Sequence, residues 1–260
     1  AWSFGVFFRE LSALYGALAQ EQPSPLPLLP VQYVDFSLWQ QNYFQGDVLA
    51  KELDYWRKTL RNAPDVLQLP SDRPRPTVIS FQGKTLSFLL PKTLTDGLKQ
   101  LSQQAGTTLY TTLLAALQTL LFRYSGEEDI LVGSPIANRH QPEVELLIGC
   151  FINTLVFRSD LSGNPSFRQL LDRVKETVLG ALAHQNLPFE MLVNDLQPTR
   201  NVAYAPIFQV MLVLQNTFSV EEIELPGLNV AHSRIDNKTS QFDLTFHLVE
   251  DDNGLIGKLE

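Results

Sequence analysis

Residues 150–158, Cys150-Phe151-Ile152-Asn153-Thr154-Leu155-Val156-Phe157-Arg158, decide the fold. An apolar run rich in β-branched and aromatic residues, interrupted by Asn153-Thr154, reads as a strand. A second strand, Ile130 to Pro135, precedes it across a polar loop around Asn138-Arg139-His140. Before that pair, apolar helical spacing runs over about 107–124 and closes at Ser125-Gly126, with a shorter helix at 92–104 and a strand at about 79–90. After it, Asn164-Pro165 opens a helix as N-cap and first-turn proline, running to about His184. A short helix from Phe189 to Leu196 and a strand from Ile207 to Leu214 follow. Strands and helices mixed in this way predict an α/β fold, a mixed α+β sandwich.

The flanks are helical on one side and β on the other. Ser3 is placed to N-cap a first helix whose apolar face is Phe4, Phe7, Leu11, Leu14 and Leu18. The prolines at 23, 25, 27 and 30 predict an extended crossing segment. Helical patterns resume at Tyr33–Phe44 and at about 47–62, where Leu49, Leu53, Trp56 and Leu60 share a face. Pro70-Ser71-Asp72-Arg73-Pro74-Arg75-Pro76 is the best boundary, because closely spaced prolines stop a helix and stiffen a link. Toward the end, Phe242, Leu244, Phe246 and Leu248 alternate with polar neighbours as a half-buried strand. Asn253-Gly254 predicts a two-residue hairpin turn with positive φ at both residues, and a return strand from Leu255 too short to pair with its whole partner. With Ala1 at the start and a hairpin cut short at Glu260, the chain reads as an internal piece of a larger soluble protein.

Composition excludes several functions. At 260 residues the chain holds one large domain or two modest ones, at about 100–200 residues per domain. The net charge of −8 is spread over interleaved residues, without the basic patch a nucleic-acid footprint needs. No apolar stretch approaches the roughly 20 residues of a membrane span. Cys150 is the single cysteine, which rules out an internal disulfide and fits a reducing cytoplasm; its apolar setting predicts a buried thiol. His140, His184, His232 and His247 stand far apart, with no metal-ligand spacing. Gly133-Ser134-Pro135 lacks the second glycine of a nucleophile elbow, and no phosphate loop or dinucleotide fingerprint is present. The residues by themselves define no catalytic constellation, metal site or bound cofactor.

Four stretches together resemble the condensation domains of nonribosomal peptide synthetases, members of the chloramphenicol-acetyltransferase-like superfamily. Tyr33-Val34-Asp35-Phe36-Ser37-Leu38-Trp39-Gln40 is similar to the family's Tyr-x-Asp-Tyr-x-x-Trp-Gln, and Ile148-Gly149-Cys150-Phe151-Ile152-Asn153-Thr154 to its Ile-Gly-x-Phe-x-Asn-Thr. His184-Gln185-Asn186-Leu187-Pro188-Phe189-Glu190 resembles His-Gln-x-x-Pro-Phe-Glu, and Pro206-Ile207-Phe208-Gln209-Val210 resembles Pro-x-Phe-Gln-Val. Their order and spacing across nearly the whole chain make the resemblance specific. Trp2-Ser3 matches the tail of the signature His-His-x-x-x-Asp-Gly-Trp-Ser, with Ala1 where the glycine stands. The resemblance therefore implies that the catalytic histidines lie upstream of Ala1, and that this chain carries no catalytic residue.

It further implies that residues 1–76 are the end of an N-terminal lobe with its linker, and 77–260 most of a C-terminal lobe. The implied reaction joins thioesters on donor and acceptor peptidyl carrier proteins, through phosphopantetheine arms, beside an adjoining adenylation domain. Trp2 and Ser3 are expected to support the signature loop. Arg139 is expected in a lobe-to-lobe salt bridge, on a carrier phosphate, or in solvent. Asn153 is expected as a satisfied strand amide near the substrate tunnel, and Asp243, in Ser240-Gln241-Phe242-Asp243-Leu244, as a tunnel-lining residue. His184 is read as ending its helix, while Tyr33, Asp35 and Trp39 hold a helix to the lobe. Relatives that epimerize, heterocyclize or form esters on the same fold, and a non-catalytic interaction platform, are the competing readings.

Overall fold

A computed structural model of the protein describes residues 2–198, 202–215, 223, 225–231 and 237–260. Ala1 and His232 lie outside the described residues, so the expectation for Ala1 does too. The elements follow in the order α1 (Trp2–Leu18), α2 (Tyr33–Tyr43), α3 (Gly46–Thr59), β1 (Leu86–Pro91), α4 (Lys92–Gln104), α5 (Leu109–Ser125) and β2 (Asp129–Ile136). Next come the single-turn α6 (Pro142–Glu145), β3 (Asn153–Asp160), α7 (Phe167–Ala183), α8 (Phe189–Leu196), β4 (Val210–Gln215), β5 (Leu244–Asp251) and β6 (Gly254–Leu259). They divide into a smaller unit, Ala1–Val48 with Ala137–Ile152 and Asn216–Asn237, and a larger one, Leu49–Ile136 with Asn153–Gln215 and Lys238–Glu260.

The larger unit is built on a six-stranded sheet of order β1-β6-β5-β4-β2-β3. β2 and β3 pair antiparallel from Asp129↔Asp160 to Ile136↔Asn153, and β4 pairs parallel with both β2 and β5. The sheet thus mixes parallel and antiparallel strands, within the α/β class that the sequence predicts. α5 packs against α4 and α7, and all three pack against the sheet, with Leu114, Leu121, Leu171 and Val174 buried. α5 starts where the Thr108 hydroxyl accepts from Thr111 N, at 3.2 Å, and stops at Gly126, whose φ of 75° suits glycine. Leu53 and Trp56 of α3 are buried in this unit, and Trp56 Nε1 donates to the His184 carbonyl at 3.2 Å. Among the described residues no single helix is long and apolar enough to cross a membrane.

Several local expectations are corrected. α7 is capped by Ser166, not Asn164: Ser166 Oγ accepts from Gln169 N while Gln169 Oε1 accepts from Ser166 N, a reciprocal box that satisfies two helix-end donors. Asn164 instead takes a φ of 50° in the preceding turn. β1 begins at Leu86 and β3 at Asn153, so both strands are shorter than predicted, and Ile148–Ile152 belongs to a loop. The hairpin loop is Asp252-Asn253, neither with positive φ, and Gly254 with φ 134° is the first residue of β6. Glycine is required there because a Cβ would collide with the Leu90 carbonyl of β1. Thr245 and Glu260 exchange both backbone bonds at 2.9 Å, so the return strand reaches nearly the whole of its partner.

β5 also carries a pH-sensitive contribution to stability. His247 lies opposite Lys258 of β6, and burial, followed by the Lys258 charge, lowers its pKa against the opposing pull of Glu260. Above about pH 6.5, the ordinary value, His247 is neutral in both folded and unfolded chains and its contribution is intact. As pH falls below that, the unfolded chain takes up the proton first, so stability declines toward the lower folded pKa. Melting temperatures of wild type and His247→Gln should therefore diverge in their pH dependence as pH falls below about 6.5, the variant showing the flatter curve. Parallel curves would show that His247 makes no such contribution.

In the smaller unit Val144, Leu147 and Phe151 form a buried core against which Leu29, Val31, Tyr33 and Phe36 pack. The Pro23–Pro30 stretch has no regular structure, as proline locking predicts. The predicted face of α1 is not its buried one: Phe4 is 62% exposed and Leu18 69%, while Val6 is buried. Ser3 lies inside α1 and does not cap it. Cys150 is exposed, contrary to the expected buried thiol, because Phe151 turns inward at that point of the loop and Cys150 outward.

Candidate functional site

Three polar arrangements hold the predicted residues. The first lies in the smaller unit and gathers Trp2, Ser3 and Arg139. The loop after β2 turns at Asn138, with φ 51°, and drives Arg139 inward until only 8% of it is exposed. One guanidinium nitrogen donates to the Val144 carbonyl, and the other to Ser3 Oγ at 2.9 Å. Ser3 Oγ in turn donates to Gly149 O at 2.8 Å and accepts from Gly149 N at 3.2 Å, while Trp2 Nε1 donates to Glu145 O at 2.8 Å. The Arg139 guanidinium carbon sits 4.0 Å from the centroid of the Phe151 ring and 5.8 Å from that of Trp2.

This geometry removes one of the expected settings of Arg139, the solvated one. It is not solvated, and among the described residues no carboxylate pairs with it. Its charge is held by carbonyls, a hydroxyl and aromatic faces, and burial lowers its pKa from the ordinary arginine value. Tyr33 completes the loop: its hydroxyl donates to Cys150 O at 2.9 Å, its ring packs edge-on to Phe151, and a Cβ at Gly149 would collide with it. Asp35 accepts from Gln32 N at 2.8 Å in a box that starts α2, and Trp39 stacks on Tyr43.

The second arrangement lies in the larger unit, on the turn between α7 and α8. Asn153 Nδ2 donates to Gln185 O at 2.8 Å and Leu187 O at 2.7 Å, and Asn153 Oδ1 accepts from Phe189 N at 2.9 Å. Its amide is thereby satisfied, as a buried amide must be. His184 ends α7, as the sequence predicts. Its Nδ1 is 2.8 Å from Glu52 Oε2, and its ring stacks on Tyr55 with centroids 3.9 Å apart. Glu52 and Tyr55 are not signalled by any motif; only their i, i+3 relation on α3, at the border of the apolar face, could have singled them out.

The third arrangement, also in the larger unit, contains Asp243. Both its carboxylate oxygens accept from Arg75, whose guanidinium also donates to Ala203 O at 3.1 Å and lies 4.2 Å from the Tyr204 ring centroid. Gln209 belongs to the Pro206–Val210 motif, but the sequence assigned it no role. Its Oε1 accepts from Leu67 N at 2.8 Å and its Nε2 donates to Asp65 O and Ala205 O, each at 3.1 Å. Nearby, Gly133 leaves room for the Phe208 ring, which is 1% exposed and stacks on Phe242. Neither Asn153 nor Asp243 takes part in the hydrogen bonds around Arg139. Among the described residues no cluster of three metal-ligating side chains occurs.

Residues 1–260 match the family model described as the condensation domain. A linear gramicidin synthase polypeptide of Brevibacillus parabrevis is 49% identical over 261 residues, covering 100% of this chain and 5% of the relative. The X-domain from teicoplanin biosynthesis superposes with a TM-score of 0.91 at 29% identity, over 99% of this chain and 60% of that one. A four-domain nonribosomal peptide synthetase bound to AMP and glycine superposes with a TM-score of 0.84 at 25% identity, over 99% of this chain and 20% of that one. The mixed six-stranded sheet and these superpositions define a chloramphenicol-acetyltransferase-like α/β domain. The chain belongs to the condensation domain family, and is a condensation domain of the kind found in nonribosomal peptide synthetases.

Proposed function

We propose that the protein carrying this chain forms amide bonds between thioesters held on two carrier proteins. The α-amine on the acceptor's phosphopantetheine arm attacks the donor's thioester carbonyl. A C–N bond forms, the C–S bond breaks, the donor arm leaves as its thiol, and the amine's proton passes to a base. That base is the second histidine of the signature ending at Trp2-Ser3, ahead of the present chain. General base help contributes about 10²–10⁴-fold, and holding two reactants in line contributes more, so scaffold residues count.

The observation that carries this reading is the Arg139 network. A buried guanidinium with no carboxylate partner among the described residues stands on Ser3 and beside Trp2, the last two residues of the signature. In the family signature an aspartate stands two positions before the Trp-Ser pair, and it is the group assigned here as the anion for Arg139. Arg139 thus locks the catalytic loop to the loop at 139–151, with Trp2 and Ser3 in supporting roles. Asn153 and Asp243 support the substrate tunnel from the larger unit. On this reading residues 1–76 close an N-terminal lobe, 77–260 form most of the C-terminal lobe, donor and acceptor carriers and an adenylation domain are the partners, and the setting is cytoplasmic. The chain itself binds no cofactor.

The test is to supply the full synthetase with a loaded donor and a loaded acceptor carrier and to weigh the acceptor thioester by mass spectrometry. Extended acceptor is expected, and residues 1–260 alone should produce none above background. Carriers that stay loaded yet yield no extended acceptor would refute the amide-forming reading. So would product from residues 1–260 that vanishes with His184→Ala, since it would make His184 the base.

A further inference from the structure

We infer that Arg75 is a positioning residue for the reaction, acting through Asp243; the inference rests on the proposed tunnel role of Asp243 and deepens it. Arg75 sits in the proline-rich strap 70–78, whose residues are all exposed. From there it reaches two separate pieces of the larger unit: the Asp243 carboxylate through both oxygens, and the 203–204 segment through the Ala203 carbonyl and the face of the Tyr204 ring. A planar fork matched to a carboxylate fixes orientation as well as distance. Asp243 is held on its other side by its backbone N–H, which donates to Gln209 O at 3.0 Å.

The contacts enclose a strained piece of backbone. Between Ala203, held by Arg75, and Gln209, held by Asp65 and Leu67, the Phe208 N–H closes a three-residue turn onto Pro206 O at 2.9 Å. Ile207 at its centre has φ 70°, a value β-branched residues adopt only when their surroundings enforce it. The strap is therefore one of two anchors that keep the 203–209 segment and Asp243 in register. Asp243 has both oxygens engaged by Arg75, so it does not serve as the proton acceptor. It presents a neutralised, oriented pair, and Arg75 sets that orientation.

The test is a mutant cycle in the full synthetase with loaded carriers. Arg75→Ala and Asp243→Ala should each slow amide formation about tenfold at saturating carrier, and the double variant should be no slower than either alone. The exchanged pair Arg75→Asp with Asp243→Arg should recover most of the rate, and Arg75→Lys should fall between. A purely structural role predicts instead lower melting temperatures with unchanged rates at permissive temperature, and that outcome would overturn the inference. If Arg75→Ala does not fold, Arg75→Lys and the exchanged pair carry the test: wild-type rates in Arg75→Lys, or no recovery in the exchange, would overturn it equally. A wild-type synthetase that makes no amide refutes the proposed function, whereas active wild type with an equally active Arg75→Ala refutes only the role of Arg75.

Discussion

Replacing Arg139 by alanine is expected to reduce amide formation by the full synthetase about 100-fold and to destabilise the smaller unit by about 2–4 kcal/mol. The change leaves the Val144 carbonyl and the Ser3 hydroxyl short of a charged donor in a place with little access to water. It also removes the cation lying over Phe151, at the centre of the smaller unit's core. Arg139→Lys keeps the charge but not the fork, so it can serve Val144 or Ser3 and not both; its defect should be intermediate. Hydrogen exchange should rise across residues 139–151 in Arg139→Ala and stay unchanged in 109–125, which lies in the other unit. Unchanged protection at 139–151 together with full activity would mean the arginine is dispensable to the loop.

The second large effect is expected at Asn153. Asn153→Asp is nearly isosteric and keeps the acceptor for Phe189 N, yet turns the two donors into a carboxylate facing the Gln185 and Leu187 carbonyls. With 6% of the residue exposed, water does little to relieve the repulsion. A loss of about 3–5 kcal/mol at pH 7 follows from an uncompensated buried charge. The repulsion holds the new carboxyl's pKa above its unfolded value of about 3.9, so the variant regains stability relative to wild type as pH falls and the acid form donates again. Asn153→Ala lacks the charge and should be hurt less, with no such pH dependence. Denaturant titration of the three proteins at pH 7 and pH 5 decides it; an Asn153→Asp no weaker than Asn153→Ala at pH 7 would contradict the assigned donors.

Legibility differs between kinds of feature. The long periodic helices, α4, α5 and α7, and the strands β2, β4 and β5 appear close to their predicted places, because hydrophobic period is written residue by residue. Ser3 reads as an N-cap because a hydroxyl before an apolar stripe suits one, whereas its actual partners are Arg139 and Gly149, 136 and 146 positions away. Asn164 outranks Ser166 in sequence because proline at the next position mimics a helix start, yet the reciprocal Gln169 bond prevails. The apolar face of α1 is legible as a pattern, but which side is buried is decided by what packs against it.

By itself the sequence determined the mixed α/β class, the order of the elements and the four motifs that place the chain in its family. Those depend on spacing along the chain. Only the tertiary structure decided that Arg139 is buried without a counter-ion among the described residues, that Asn153 is spent on the α7–α8 turn, and that the strap residue Arg75 holds Asp243. Each of these joins segments far apart in sequence, and a buried polar group takes whichever partner the fold delivers to it, since leaving it unpaired costs more than any local preference.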